Sequence, residues 1–404
     1  MAAQALHGAA LRQRFEALGA FLREHQGIWR PRPFTQLQCP WEQQWPALAA
    51  WLRAQSLEHA ETAHHAPGTL AAPPPFPEWA RQAQALAEVG PLPAHPAPPP
   101  PGRLSVDVPG RKWQQIEAFA QHLSFAQAPN HWLDWCAGKG HLGRRLVQPG
   151  QQLTCLEYDP ALVASGAALS QRLGLPAEHI QQDVLASTCE QRLAPGITPV
   201  ALHACGDLHV RLLALAAERG VQQLAIAPCC YNRIQASHYT PLSQPARALG
   251  LELDKDDLGL PASETVTAGA RVRRQRDQSM AWRLAFDLWQ REAQGSDHYL
   301  PTPPLPSAAF AQPFPQWCQA MAALKGLALP DTDWAELEAR GWQRLAHVRN
   351  LELPRNLFRR PLELWLTLDR ALYMQEHGYH TTVGTFCARE LTPRNLMLVA
   401  QLPR

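Results

Sequence analysis

The sequence predicts an α/β fold: a doubly wound, mostly parallel sheet covered by helices on both faces, closed by a terminal antiparallel hairpin and extended by helical additions. Three observations carry this. Between residues 108 and 295, short apolar runs alternate with segments of helix length and helix periodicity, the pattern of parallel strands joined by covering helices. The turn after the first run sets Gly138, Gly140 and Gly143 in a G-x-G-x-x-G spacing ahead of a helical segment, as in sheets that hold a nucleotide-bearing ligand at their strand ends. The tail YHTTVGTFCARELTPRNLMLVAQL reads as two strands around a Pro-Arg-Asn turn, and one antiparallel finish is common in mixed sheets.

Taken in order, residues 1–90 form a helical unit, because apolar positions recur at three and four over 4–25, 41–58 and 76–89. Its tryptophans, Trp29, Trp41, Trp45, Trp51 and Trp79, suit a core better than a nucleic-acid platform. PLPAHPAPPPP then lacks the donors and backbone freedom of helix or central strand, so 91–107 is expected as an extended linker. The core, 108–295, opens with DVPGRKWQQIEAFAQHL, a turn entering a helix. Strands are expected at 131–136, 152–159, ending near 181–185, at 199–207 and at 221–231, with helices from 141, over 160–173 and after 207. Further helices fall at 277–293, 308–350 and 361–376, with a proline-rich break between the first two, so 296–375 is read as a helical insertion and 376–404 as the hairpin that completes the sheet. No internal repeat of 20 to 50 residues is visible.

The net charge of +2, with no block of like charges, demands neither nucleic acid nor a membrane surface as partner. Nearly all positive charge is arginine, since only Lys112, Lys139, Lys255 and Lys325 are lysines; guanidinium pairs bidentately with phosphate, so RNA is compatible. The stretch 269–291 gathers Arg271, Arg273, Arg274, Arg276, Arg283 and Arg291 around Trp282 and Trp289. It reads either as a phosphate-tracking surface or as an amphipathic helix with its aromatics buried. Nine cysteines without a C-x-x-C pair favour reduced thiols, and no secretory signal or run of eighteen apolar residues occurs. A cytoplasmic protein without membrane spans is expected.

The glycine turn is not a phosphate-binding Walker loop, because no Gly-Lys-Ser/Thr follows. Asp134 stands four residues before Gly138. A carboxylate there repels pyrophosphate but suits a cationic cofactor, and S-adenosylmethionine carries both an ammonium and a sulfonium. Glu157 ends the second strand, where it can accept from ribose hydroxyls; Asp183 ends the third, where it can accept from an adenine amino group. Each has a plainer reading: Asp134, Glu157, Asp159 and Asp183 as helix caps, Gly140 and Gly143 as turn and packing glycines.

The strings DWCAGKGHLGRRL, LHACGDLHVRLL, APCCYNRI and LTPRNLMLVA resemble the class I S-adenosylmethionine-dependent methyltransferases of the group that holds the methyltransferase-like 25 proteins. That group includes the methyltransferase part of the glutathione-transferase-C-terminal-domain-containing protein and, more distantly, the tRNA 2′-O-methyltransferases of the Trm13 type. The likeness covers about 108–295 and 376–404. It implies a seven-stranded Rossmann-like sheet, S-adenosylmethionine as cofactor, and cofactor roles for Asp134, Gly138, Lys139, Gly140, Glu157, Asp183 and His203. Cys136, Ala137, Leu142, Tyr158 and Val184 join them as neighbours along the same strand ends. Cys136 departs from the glycine that many methyltransferases outside the group carry there.

Methyl transfer from a sulfonium is an in-line displacement, so alignment supplies much of the rate and a base is needed only if the acceptor must lose a proton. The ends of strands four and five would face the methyl with His203, Cys205, Asp207, Cys229, Cys230, Tyr231 and Asn232. The expected catalytic set is Asp207 as base, Tyr231 as a stacking platform, Cys229 and Asn232. The alternatives are a helix cap for Asp207 and small turn residues for Cys229 and Cys230. His203, Cys205, Cys229, Cys230 and His238 match no standard metal spacing, so no metal is expected. The reading is a methyltransferase acting on tRNA or rRNA. Two others stand beside it: a protein or small-molecule acceptor, and a non-catalytic scaffold whose amino-terminal helices dock a partner protein.

Overall fold

The computed structural model describes residues 3–95, 103–263, 270–303, 307–328 and 332–403. The chain divides into two compact units: residues 1–23, 85–266 and 359–404 form the first, and 24–84 with 267–358 the second. This partition differs from the expected one, in which residues 1–90 and 296–375 stand as separate blocks. The expected linker lies partly outside the described residues, at 96–102.

The first unit is built on one eight-stranded sheet. Its strands are β1 (Leu6–His7), β2 (His131–Trp135), β3 (Gln152–Glu157), β4 (Glu178–Gln181), β5 (Ile197–Leu202), β6 (Gln223–Ala227), β7 (His380–Thr385) and β8 (Leu396–Gln401). They lie in the order β1-β7-β8-β6-β5-β2-β3-β4. Strands β2 to β6 are parallel, whereas β8 runs antiparallel to both β6 and β7 and is inserted between them. That is the mixed, Rossmann-like sheet of the class I methyltransferase fold. One strand exceeds the expected seven: β1 pairs with the edge of β7, where two residues are too few for any periodicity to announce a strand.

Parallel strands buried on both faces need unbroken apolar runs, and β2, β5 and β6 are buried almost throughout. Helices Gly110–His122, His141–Leu146, Pro160–Arg172, Asp207–Glu218 and Arg359–Glu376 belong to this unit. The helix Ala9–Glu24 joins them: Phe15 stacks on Trp365 with ring centroids 5.1 Å apart, and Gly19 lies so close to Leu249 that a Cβ there would sit 2.7 Å from its Cδ2. The order reverses between β2 and β5, which places a ligand-binding crevice at their carboxyl ends.

The second unit is helical. Ala270–Gln294 runs along Trp334–Asn356, against which Pro46–Arg53 and Leu57–Ala63 also pack. Phe314–Leu324 closes a core of Trp282, Phe286, Trp289, Phe314, Trp317 and Met321. The helical run expected over 308–350 is therefore two helices. In the arginine-rich segment the amphipathic reading holds for the aromatics: Trp282 and Trp289 are buried, Arg291 pairs with Asp287 at 2.8 Å, and Arg283 donates to Thr302. Arg271, Arg273 and Arg274 remain exposed.

Candidate active site

The turn after β2 is built from left-handed residues. Cys136 has φ 57°, Gly138 57° and Gly140 73°; for a cysteine this conformation is uncommon and costs energy. The loop is held from both sides. Ala137 N–H donates to Leu156 O at 2.9 Å, Gly138 N–H to Glu157 Oε2 at 2.8 Å, and Gly143 N–H to Asp134 Oδ2 at 2.9 Å.

The three glycines differ in what surrounds them. A Cβ on Gly138 would meet nothing within 4 Å; one on Gly140 would lie 2.8 Å from His179, and one on Gly143 2.5 Å from Leu153. Gly138 thus leaves open space above the loop, while Gly143 permits close packing of helix on strand.

Asp134 is only 2% exposed, and its carboxylate turns into its own loop. Burial raises its pKa to about 7, offset in part by the Gly143 N–H, Arg144 and Lys112. The expected direct meeting of Asp134 with a cationic ligand does not fit this placement: the residue ties the loop from beneath. Leu142 is likewise corrected, since it sits in the apolar core with Ile116 and Leu153. Lys139 is half-buried, and Val184 is buried.

Glu157 is the oriented acid. Its Oε2 accepts from Gly138 N–H, and its Oε1 accepts from Tyr158 N–H at 2.9 Å and Asp159 N–H at 3.1 Å. Three backbone donors fix the carboxylate and leave lone pairs for a further donor. Tyr158 beside it is 70% exposed. Asp159 caps the next helix by accepting from Ala161 N–H at 2.8 Å, so its cap reading holds. Asp183 is exposed at the end of the β4 segment, with Oδ1 accepting from Leu185 N–H at 2.9 Å.

Across the crevice, His203 follows β5 with φ 66°. Its Nε2 lies 2.7 Å from Gln115 Oε1, so the ring donates there and carries its proton on Nε2. Burial, then Arg394, lowers its pKa to about 4, keeping it neutral. Gln115 is a residue the sequence reading missed; it lies one turn into the helix Gly110–His122, outside any motif. Gly206 is obligatory, with φ 52° and room for no Cβ, which would fall 1.9 Å from Arg233 O.

The acceptor-side expectations change most. Tyr231 is 1% exposed; its hydroxyl meets Thr367 Oγ1 at 2.8 Å and the Arg370 guanidinium lies 4.9 Å from its ring centroid. A stacking platform must face solvent, so Tyr231 is a core residue instead. Asp207 opens its helix, but its Oδ2 accepts from Gln235 N–H at 2.7 Å and its own N–H donates to Arg233 O at 3.1 Å. It pins the loop after β6, which is neither a cap nor a free base. Asn232 is half-buried; Cys229 is buried beside Cys205, with sulfurs 3.2 Å apart. His238 is exposed, with Nδ1 2.9 Å from Ser237 Oγ.

The donor set fits S-adenosylmethionine: an open, left-handed glycine for close approach, an oriented carboxylate at the end of β3 for paired hydroxyls, and an exposed one beyond β4. Residues 111–237 match the methyltransferase domain family. Among solved structures, the chain is similar to M. capricolum TrmK in complex with S-adenosylhomocysteine, at 11% identity over 30% of this chain and 51% of that one, TM-score 0.22. The chain thus spans about half the length of that protein. It is also similar to magnesium protoporphyrin IX methyltransferase from Synechocystis PCC 6803 with bound S-adenosylhomocysteine, at 12% identity over 48% and 77%, TM-score 0.25. A third is the 23S rRNA methyltransferase ErmE, at 14% identity over 59% and 97%, TM-score 0.24. The chain carries a methyltransferase domain over residues 111–237.

Proposed function

We propose that the first unit binds S-adenosylmethionine over the Gly138 turn and that the acceptor of its methyl group is tRNA or rRNA. The single observation that carries the cofactor reading is the open face of Gly138 beside the fixed carboxylate of Glu157. Bound there, the cofactor supplies an electrophilic methyl. Glu157 accepts from its ribose and Asp183 from its adenine; Asp134, through Gly143, keeps the loop in shape to receive it. Cys136, Ala137, Lys139, Gly140, Tyr158 and Val184 form the surroundings of that site, and His203 its wall toward β5. Asn232 is the remaining acceptor-side candidate. With Asp207 and Tyr231 both engaged, the chain is suited to an acceptor atom that already offers a lone pair and needs little help from a base.

RNA is favoured by Arg271, Arg273 and Arg274, which are exposed on the Ala270–Gln294 helix and form no ion pair among the described residues. Trp342 beside them is 37% exposed; arginine with an aromatic face suits a phosphate backbone and its bases. The distinctive strings support membership of the methyltransferase-like 25 group, and the reduced cysteines support a cytoplasmic address. No helix among the described residues is long and apolar enough to cross a membrane.

The test is transfer of label from methyl-labelled S-adenosylmethionine to total tRNA, rRNA and cell protein offered in turn. Label in RNA, lost on Arg271→Glu/Arg274→Glu with cofactor affinity unchanged, is the expected outcome. Label only in protein or small molecules defeats the RNA reading. Cofactor binding with no transfer to any pool leaves the domain as a scaffold.

A further inference from the structure

Three thiols converge where β5 and β6 end. Cys205, Cys229 and Cys230 place their sulfurs within 4.8 Å of one another, and Cys205 and Cys229 are 3.2 Å apart. In a tetrahedral site with metal–sulfur bonds of about 2.3 Å, neighbouring sulfurs stand roughly 3.8 Å apart, so an ion fits among these three with small side-chain adjustments. No standard spacing announces the set in the sequence, because it is assembled by the crossover from β5 to β6 and not by a local motif.

Positive groups surround the three sulfurs. Cys205 lies two residues before the twelve-residue helix Asp207–Glu218, at its positive end. Arg394 and Arg233 lie near enough to Cys230 to act on its charge. The left-handed turn at His203 aims its carbonyl at the same place, where it accepts from Cys229 Sγ at 3.3 Å and Cys205 Sγ at 3.5 Å. That oxygen is occupied by thiol hydrogens which a metal would displace.

We propose that Cys205, Cys229 and Cys230 form a three-thiolate site for a soft d¹⁰ cation, Zn²⁺ being the ion it suits, clipping together the ends of β5 and β6. On binding, each sulfur exchanges its proton for a bond to the metal, and the protons pass to solvent. Arg233 and Arg394 offset the negative charge of the filled set. A fourth ligand position, toward the His203 carbonyl or solvent, completes the tetrahedron. The inference is independent of which acceptor the enzyme methylates.

The experiment is titration of the reduced full chain with Co²⁺ alone, followed by Zn²⁺. One equivalent of Co²⁺ giving thiolate-to-metal charge-transfer absorption, abolished by Zn²⁺, is expected. Cys205→Ser and Cys230→Ser should each weaken Co²⁺ binding by more than roughly 100-fold, beyond the 10–100-fold that losing a supporting contact costs. Alkylation mapped by mass spectrometry on the unaltered protein guards against variants that fail to fold: Zn²⁺ should protect these three cysteines selectively. No charge-transfer band, a band retained in the Cys205→Ser/Cys230→Ser double variant, or alkylation unaffected by Zn²⁺ overturns the site.

Discussion

A methyl group added at Gly138 meets nothing, whereas one added at Gly143 lands 2.5 Å from Leu153 Cδ1. Two alanine substitutions should therefore fail differently. Gly138→Ala carries the left-handed penalty of about 1–2 kcal/mol and fills the space over the turn, so calorimetry should show cofactor affinity reduced by at least roughly tenfold in a protein that still folds. Gly143→Ala overpacks helix against strand and should cost roughly 1–3 kcal/mol of stability with or without cofactor; unchanged affinity in Gly138→Ala would remove the turn from the site. Asp134 gives a pH signature. Its pKa is about 7 in the folded chain against 3.8 for the free group, because burial penalises the charge. The folded state then binds more protons between those values, so this group's contribution to stability is present below pH 4 and is lost as pH rises through 7. Asp134→Asn keeps an acceptor for Gly143 and removes the titration. Denaturant melts should show it gaining on the unaltered protein between pH 5 and 8, and parallel profiles would refute the buried, shifted carboxylate.

Helices and strands explain what could be read in advance. The parallel strands were legible because burial on both faces forces continuous apolar runs, as in HWLDW and QLAIA; the glycine turn was legible because left-handed backbone selects glycine. What escaped lacks a local signal. Tyr231 is aromatic beside a strand end, which suits a platform and a core alike; its burial depends on Thr367 and Arg370, more than 130 residues away. That helix, Arg359–Glu376, carries a buried network. Asp369 accepts from Leu242 N–H, Ser243 N–H and the Tyr239 hydroxyl, while Arg370 donates to His209 Nε2 at 2.7 Å. His209 must then hold its proton on Nδ1, donating to Ala204 O at 3.0 Å. Asp369→Ala strands these donors and should cost about 3–5 kcal/mol, read as a fall in melting temperature. In the second unit, Gly341 lets Trp334–Asn356 approach Ala281 and Ala285, a tolerance that helical periodicity cannot reveal.

At the scale of the molecule, β8 is a central strand supplied after every other one. It pairs with β6 on one side and β7 on the other, so the sheet cannot close until residues 396–401 arrive, and long-range pairing of this kind folds slowly. Deleting residues 396–403 should leave two unpaired strand edges and drive the chain into aggregates, measured as loss from the soluble fraction; a monodisperse truncated protein would contradict the pairing. The expected division into successive blocks failed for a related reason: the chain leaves the first unit at residue 24, returns near 85, leaves again near 267 and comes back at 359. Recombination therefore has no clean place to cut. A crossover anywhere from 24 to 358 severs at least one of the two cores, so neither can be shuffled into another gene as a single cassette, and the pair must be inherited together.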